Sequence, residues 1–307
     1  MILAAGLSPA WQQILTFNSL KTGEVNRATH AAWCASGKAI NVAVAAHFLG
    51  APVSLISPRG GISGDAIARE LEQYELSVEW IPTEAATRVC TTLLDQSGST
   101  TELVEEVADL EEAAIERFID YTRTAANVAD LTVFTGSIPR NVPSEIFGNV
   151  MRTIHKRFLL DLRGAPLQYC LPFAPFLVKP NRTELGSTVG QPLESDQDLL
   201  SAMRRMNDAG ASWVVVSDGE KGVWITGDDL ACRLRPPRVQ TVNPIGCGDS
   251  LAAGIAVALQ SGKDVIHAVQ FGMGAAACNA EDLYPGRLDA DRSSELAEQV
   301  TIEDLML

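Results

Sequence analysis

The feature that most constrains this chain is a repeated exchange of two periodicities. Short aliphatic runs at residues 53–57, 131–135, 158–162, 176–178 and 213–217 alternate with stretches of helical spacing at 65–74, 143–155 and 194–209. Strands covered on both faces read as unbroken apolar runs, and parallel neighbours need a crossover long enough to hold a helix. The order therefore predicts an α/β fold with three layers, a mainly parallel sheet between helices.

Two segments break the rhythm. Residues 11–33 carry β-forming residues around Lys21-Thr22-Gly23, and residues 87–107 alternate around Asp95-Gln96-Ser97-Gly98. Neither has a helix to cover it, so the two are expected to pair as a small β-sheet lid (11–33 and 87–107). The core is then 1–10, 34–86 and 108–307. An isolated small sheet leaves edge groups unpaired, so a homodimer through the lid is expected, with Trp11, Trp33, Val89 and Leu93 as candidates for its buried apolar face.

With 307 residues, 46% of them hydrophobic, the chain can bury such a core. It carries 38 acidic and 24 basic side chains, a formal charge of −14, which repels nucleic acid and anionic membranes. An anionic ligand must then be met by a few local cations. The six cysteines show no metal-binding spacing, and no run approaches the roughly 20 apolar residues of a membrane span. With no leader-like start, a cytoplasmic protein with free thiols is expected.

Two glycine-rich segments stand out. Ser36-Gly37-Lys38-Ala39-Ile40-Asn41 runs into an apolar helix, which places Lys38 in its first turn, where the helix dipole disfavours a cation. Lys38 is either a solvated side chain or half of an anion site. Asn243-Pro244-Ile245-Gly246-Cys247-Gly248-Asp249-Ser250 opens a small-residue helix with uncovered amides, an arrangement that suits phosphate or a developing oxyanion. Asp249 either complements the dipole or serves as a general base beside that anion hole. No Walker A loop occurs.

Together with Ser8-Pro9-Ala10, Gly23-Glu24-Val25-Asn26-Arg27-Ala28, Thr87-Arg88, Thr101-Glu102, Gly136-Ser137-Ile138-Pro139, Lys179-Pro180-Asn181-Arg182-Thr183-Glu184-Leu185 and Ser217-Asp218-Gly219 with Gly222, these segments are collinear with a known pattern. The chain resembles the PfkB, or ribokinase-like, family of carbohydrate kinases, most closely its 1-phosphofructokinase and tagatose-6-phosphate kinase branch.

The resemblance implies a ribokinase-like core and a transferase that moves the γ-phosphoryl of ATP to a hydroxyl of a sugar phosphate of the fructose 1-phosphate or tagatose 6-phosphate type. Asp249 would be the base, and the amides of Gly246, Cys247 and Gly248 the anion hole. Gly37, Lys38, Asn41, Gln12, Arg27, Arg88 and Ser137 match the acceptor side, the last three where the branch holds the acceptor's phosphate. Lys179, Asn181, Ser217, Gly219, Gly222 and Asn279 match the nucleotide side, with Asn279 near adenine. Asn181 and Glu184 would hold Mg²⁺. The resemblance also admits a monovalent cation, and it implies dimerisation through lids.

Departures bear on the acceptor. Trp11-Gln12-Gln13 stands where the branch carries an aspartate that reads sugar hydroxyls. An amide both donates and accepts, so a different hydroxyl pattern is expected. Ser36 and Ala39 replace glycines, and Cys247 replaces alanine, where a helix N-terminus would lower a thiol pKa. A ribokinase-like or nucleoside kinase with a neutral acceptor is the alternative, disfavoured by Arg27 and Arg88. A non-catalytic sugar-phosphate sensor is disfavoured by intact Asn181, Glu184 and Asp249.

Overall fold

The structure is a computed structural model that describes residues 1–227 and 230–305. Its strands are β1 (Ile2–Ala5), β2 (Ala10–Phe17), β3 (His30–Ser36), β4 (Val53–Arg59), β5 (Ser77–Pro82), β6 (Arg88–Asp95), β7 (Thr100–Val104), β8 (Leu131–Thr135), β9 (Arg157–Asp161), β10 (Leu177–Val178), β11 (Trp213–Ser217), β12 (Val223–Gly227), β13 (Leu230–Arg235) and β14 (Thr301–Asp304). The helices are α1 (Lys38–Phe48), α2 (Gly61–Gln73), α3 (Glu112–Val128), α4 (Ile146–Met151), α5 (Gly164–Cys170), α6 (Arg182–Val189), α7 (Asp196–Asp208), α8 (Cys247–Gln260), α9 (Val265–Glu281) and α10 (Ala290–Glu298).

The large sheet runs β14-β13-β12-β11-β10-β9-β8-β1-β4-β5, parallel from β11 to β5 and antiparallel across β12, β13 and β14. Period-2 alternation splits each buried strand between two cores. Ile2 and Ala4 of β1 face one core with residues of α1, α8 and α9, while Leu3 and Ala5 face the other with residues of α3, α4 and α7. This is the expected three-layer α/β fold. The helix expected over 143–155 is shorter, because i→i+3 turn bonds such as Ile146 N to Pro143 O and Ile154 N to Met151 O flank α4. Among the described residues, no helix is long and apolar enough to cross a membrane.

The small sheet has the order β3-β2-β6-β7. Two antiparallel hairpins are joined through parallel β2 and β6, so the two segments do pair with each other. One face buries Ile14, Ala32, Cys34 and Leu94 against Leu283 and Tyr284. Trp11, Trp33, Val89 and Leu93 lie on the opposite face. There Trp11 stacks on Trp33 with ring centroids 5.9 Å apart, and Trp33 remains 42% exposed.

Candidate active site

Parallel strands of an open α/β sheet present ligands with a crevice at their carboxyl ends. Here β8, β9 and β11 end at Thr135, Asp161 and Ser217, and Lys179 follows β10. Asp161 is buried between two cations: Lys179 Nζ lies 3.0 Å from one carboxylate oxygen, and Lys38 Nζ lies 3.3 Å from the other. Thr135 Oγ1 donates to the same oxygen that meets Lys38. Burial opposes the charge on Asp161, but the ammoniums of Lys179 and Lys38 overcome it and hold the carboxyl down at about 2.

Lys38 is therefore not the solvated side chain that its sequence position allows. Its ammonium also reaches Glu184 Oε1 at 3.4 Å. Asp161 raises its pKa against the opposing effect of burial, with Asp249 and Glu184 adding to the rise, so the cation is kept despite the helix dipole. Gly37, which caps α1, has φ +104, and a Cβ there would fall 2.6 Å from Ser8 O. No other residue can bring α1 so close to that loop.

The start of α8 supplies the opposite wall. Gly246 is left-handed (φ +84), and a Cβ on it would meet Pro285 at 2.6 Å. The first-turn amides beyond it have no intrahelical partners. Lys179 Nζ lies 3.8 Å from where a Cβ on Gly248 would be, so its charge faces this turn. Asp249, 6% exposed, accepts a hydrogen bond from Asn41 Nδ2 at 2.7 Å, and Asn41 Oδ1 in turn accepts from Ser36 Oγ at 3.2 Å. Burial raises the Asp249 carboxyl. Lys38 opposes the rise, the charge of Asp161 adds to it, and the Asn41 bond and Lys179 oppose it, leaving the carboxyl at about 6.

Several expected residues sit differently. Asn279 is buried, and both ends of its amide are engaged. Nδ2 donates to Ile245 O and Cys247 Sγ, and Oδ1 accepts from Ser250 Oγ and Gly286 N. It has no donor or acceptor left for an adenine, and it braces the loop into α8 instead. The Cys247 thiol is pushed up to about 11, because burial outweighs the hydrogen bond from Asn279 and the helix terminus. Arg27 stays exposed between β2 and β3, and no hydrogen bond or ion pair joins it to another described residue.

Of the residues expected on the nucleotide side, Asn181 and Glu184 form a capping box at α6. Asn181 Oδ1 accepts from Glu184 N at 2.8 Å, and Glu184 Oε2 accepts from Asn181 N at 3.0 Å. Ser217 bridges Asn181, and Gly219 and Gly222 shape the turn after β11. Gly222 has φ +104, and a Cβ there would meet Leu234 O at 2.1 Å. Among the described residues no three His, Cys, Asp or Glu side chains group to hold a metal. Glu184 Oε1, which also meets Lys38 Nζ at 3.4 Å, and Asn181 Oδ1 are hard oxygens of the kind that would hold a Mg²⁺ ion.

Of the residues expected on the acceptor side, Arg88 donates to Ser8 O at 3.3 Å, Pro9 O at 3.4 Å and Glu105 O at 3.0 Å. Ser137 is exposed and follows Gly136, whose added Cβ would meet Ser8 Oγ at 2.6 Å and lie 3.8 Å from Lys38 Cβ. Buried Gln12 donates both Nε2 protons, to Thr92 Oγ1 at 2.8 Å and Gln13 O at 3.3 Å. This amide therefore offers an acceptor only, and not the dual character that its residue type allows.

Known proteins share this architecture. Escherichia coli phosphofructokinase-2 in complex with fructose-6-phosphate superposes with TM-score 0.86 at 24% identity, over 97% of this chain and 99% of that one. A possible 1-phosphofructokinase of Thermotoga maritima gives TM-score 0.90 at 20% identity over 99% of each. At these identities the likeness establishes the fold. The pfkB family carbohydrate kinase model matches residues 12–288, a span that takes in the Lys38–Asp161–Lys179 array, the capping box and the glycine turn into α8 with its buried aspartate. The chain therefore belongs to the pfkB family of carbohydrate kinases.

Proposed function

We propose that the protein transfers the γ-phosphoryl group of ATP to a hydroxyl of a ketohexose phosphate of the fructose 1-phosphate or tagatose 6-phosphate type. The observation that carries the phosphoryl transfer is the buried Asp249 carboxylate in the first turn of α8, facing the ammoniums of Lys38 and Lys179, and the acceptor class rests on Arg88 beside the Ser8–Pro9 loop. The acceptor hydroxyl gives its proton to Asp249 as its oxygen bonds to the γ-phosphorus. The bond from that phosphorus to the bridging oxygen breaks, and ADP leaves with the electron pair. The Gly246, Cys247 and Gly248 amides and Lys179 receive the charge on the moving phosphoryl. Mg²⁺ at Glu184 and Asn181, when bound, neutralises nucleotide phosphate charge. Ser217, Gly219 and Gly222 flank the nucleotide, and the small sheet closes over the acceptor with Gln12 and Arg88.

One observation favours a second reading. The Arg88 guanidinium is already spread over three carbonyls, and the chain of Glu102 is close enough to feel its charge, a setting that suits a neutral acceptor better than a phosphate. The test is ADP release with ATP and Mg²⁺ over a panel of sugars, nucleosides and sugar phosphates, with fructose 1-phosphate, fructose 6-phosphate and tagatose 6-phosphate included. A phosphorylated ketohexose is expected to be the best acceptor. A neutral sugar or nucleoside as the best acceptor overturns the branch, and no turnover on any acceptor favours the sensor.

The open face of the small sheet supports a homodimer. Trp33, Leu103 and half-buried Leu93 and Val89 lie on it in register, and an exposed apolar sheet face is stabilised by covering it. E. coli phosphofructokinase-2 has a tetrameric inhibited form. Light scattering is expected to give a dimer at micromolar concentration, and Val89→Asp with Leu93→Asp is expected to give monomers. A wild-type monomer overturns the dimer, and a dimer that survives both substitutions moves the interface elsewhere.

A further inference from the structure

We propose that Ser36 is a positioning residue for phosphoryl transfer, acting through Asn41 on Asp249. The inference rests on the reading of Asp249 as the base. The three residues come from three elements: Ser36 ends β3 of the small sheet, Asn41 lies in the first turns of α1, and Asp249 in the first turn of α8. All are buried, at 3%, 4% and 6% exposure, and they are linked by bonds of 3.2 and 2.7 Å.

The direction of the chain follows from what each group can do. An ionised carboxylate only accepts, so Asn41 must turn Nδ2 toward Asp249, which leaves Oδ1 facing Ser36. The one hydroxyl proton of Ser36 closes the chain. Without it, Oδ1 of a buried amide has no donor there, and a flipped amide would present its oxygen to the carboxylate. The carboxylate sets which end of Asn41 meets the base, and the hydroxyl, by donating to Oδ1, holds the amide in that orientation and with it the direction in which the Asp249 carboxylate points. The other charges facing Asp249 are Lys38 from α1, Asp161 at the end of β9 and Lys179 after β10, and none of them contacts Ser36 through a hydrogen bond or ion pair.

Ser36→Ala and Ser36→Gly, compared by steady-state kinetics across pH, test this. Each is expected to lower kcat about 5- to 30-fold with KM for ATP changed less than about twofold. Each is also expected to shift the acid limb of the kcat profile upward by about half a pH unit, because the bond that stabilises the carboxylate is weakened. Melting curves confirm that both variants fold. On an Asn41→Ala background, Ser36→Ala should add nothing further to the loss in kcat. Additive losses overturn the route through Asn41. An unchanged kcat and pH profile in both variants, with Asp249→Asn inactive, overturns the role of Ser36 and leaves the base reading intact. An active Asp249→Asn overturns the base reading itself and this inference with it.

Discussion

Asp249→Asn is expected to lower kcat by about 10²–10⁴-fold while ATP still binds, the loss typical of removing a positioned general base. The amide keeps the shape of the side chain and the neighbouring anion hole, but it cannot take the acceptor's proton. The wild-type enzyme should lose activity as pH falls through about 6, where the buried carboxyl becomes protonated. Stability moves the other way. A carboxyl whose folded pKa is raised favours the fold at low pH and loses that contribution as pH rises through about 6. The neutral variant should therefore melt at the wild-type temperature or above it at pH 7 to 8. A variant that is inactive, well folded and competent for ATP binding separates chemistry from collapse. Retention of more than half the activity would remove Asp249 from the role of base.

What the sequence made legible follows from how local each signal is. The strand at Leu131–Thr135 and the hairpin around Asp95–Gly98 announce themselves through runs and turns a few residues long, and the structure has them in place; β2 and β3 pair as well, but residues 18–29 separate them. Gly246 and Gly248 before a small-residue helix likewise mark an amide-lined turn from sequence alone. Asp161 was not legible: it ends an apolar strand and gains its meaning only when Lys38 and Lys179, far away in the chain, close on it. Its one signal is a carboxylate at the carboxyl end of a parallel strand. Asn279 is the reverse case. The resemblance puts it near adenine, yet all its hydrogen-bonding capacity goes to Ile245, Cys247, Ser250 and Gly286, contacts set by the packing of α8 on α9. Glycines fix that packing, since a Cβ on Gly254 would lie 2.6 Å from Gly272 Cα. For Cys247 the helix terminus and burial act in opposite directions, and only the fold determines that burial is the larger effect.

Arg88→Ala is expected to raise KM for a phosphorylated acceptor roughly 10- to 150-fold, on the order of 1.5–3 kcal/mol for a lost charge-assisted contact, with KM for ATP nearly unchanged. Arg88 opens β6, and its guanidinium rests on the carbonyls of Ser8 and Pro9, the loop that also packs on Gly37 and Gly136 beside Lys38. The bonds to Ser8 and Pro9 are 3.3 and 3.4 Å long, near the limit of useful geometry, so an incoming phosphate can replace them with shorter, ionic ones. Arginine suits that exchange because its planar fork meets two phosphate oxygens at once. Arg88→Lys keeps the charge but loses the fork, and it should recover only part of the acceptor affinity. If the guanidinium is instead a strut for the Ser8–Pro9 loop, Arg88→Ala should lower the melting temperature and leave acceptor KM unchanged. Arg88→Lys should then behave like alanine. That pattern, together with a neutral sugar as the best acceptor, would favour kinases of unphosphorylated substrates over the proposed sugar-phosphate branch.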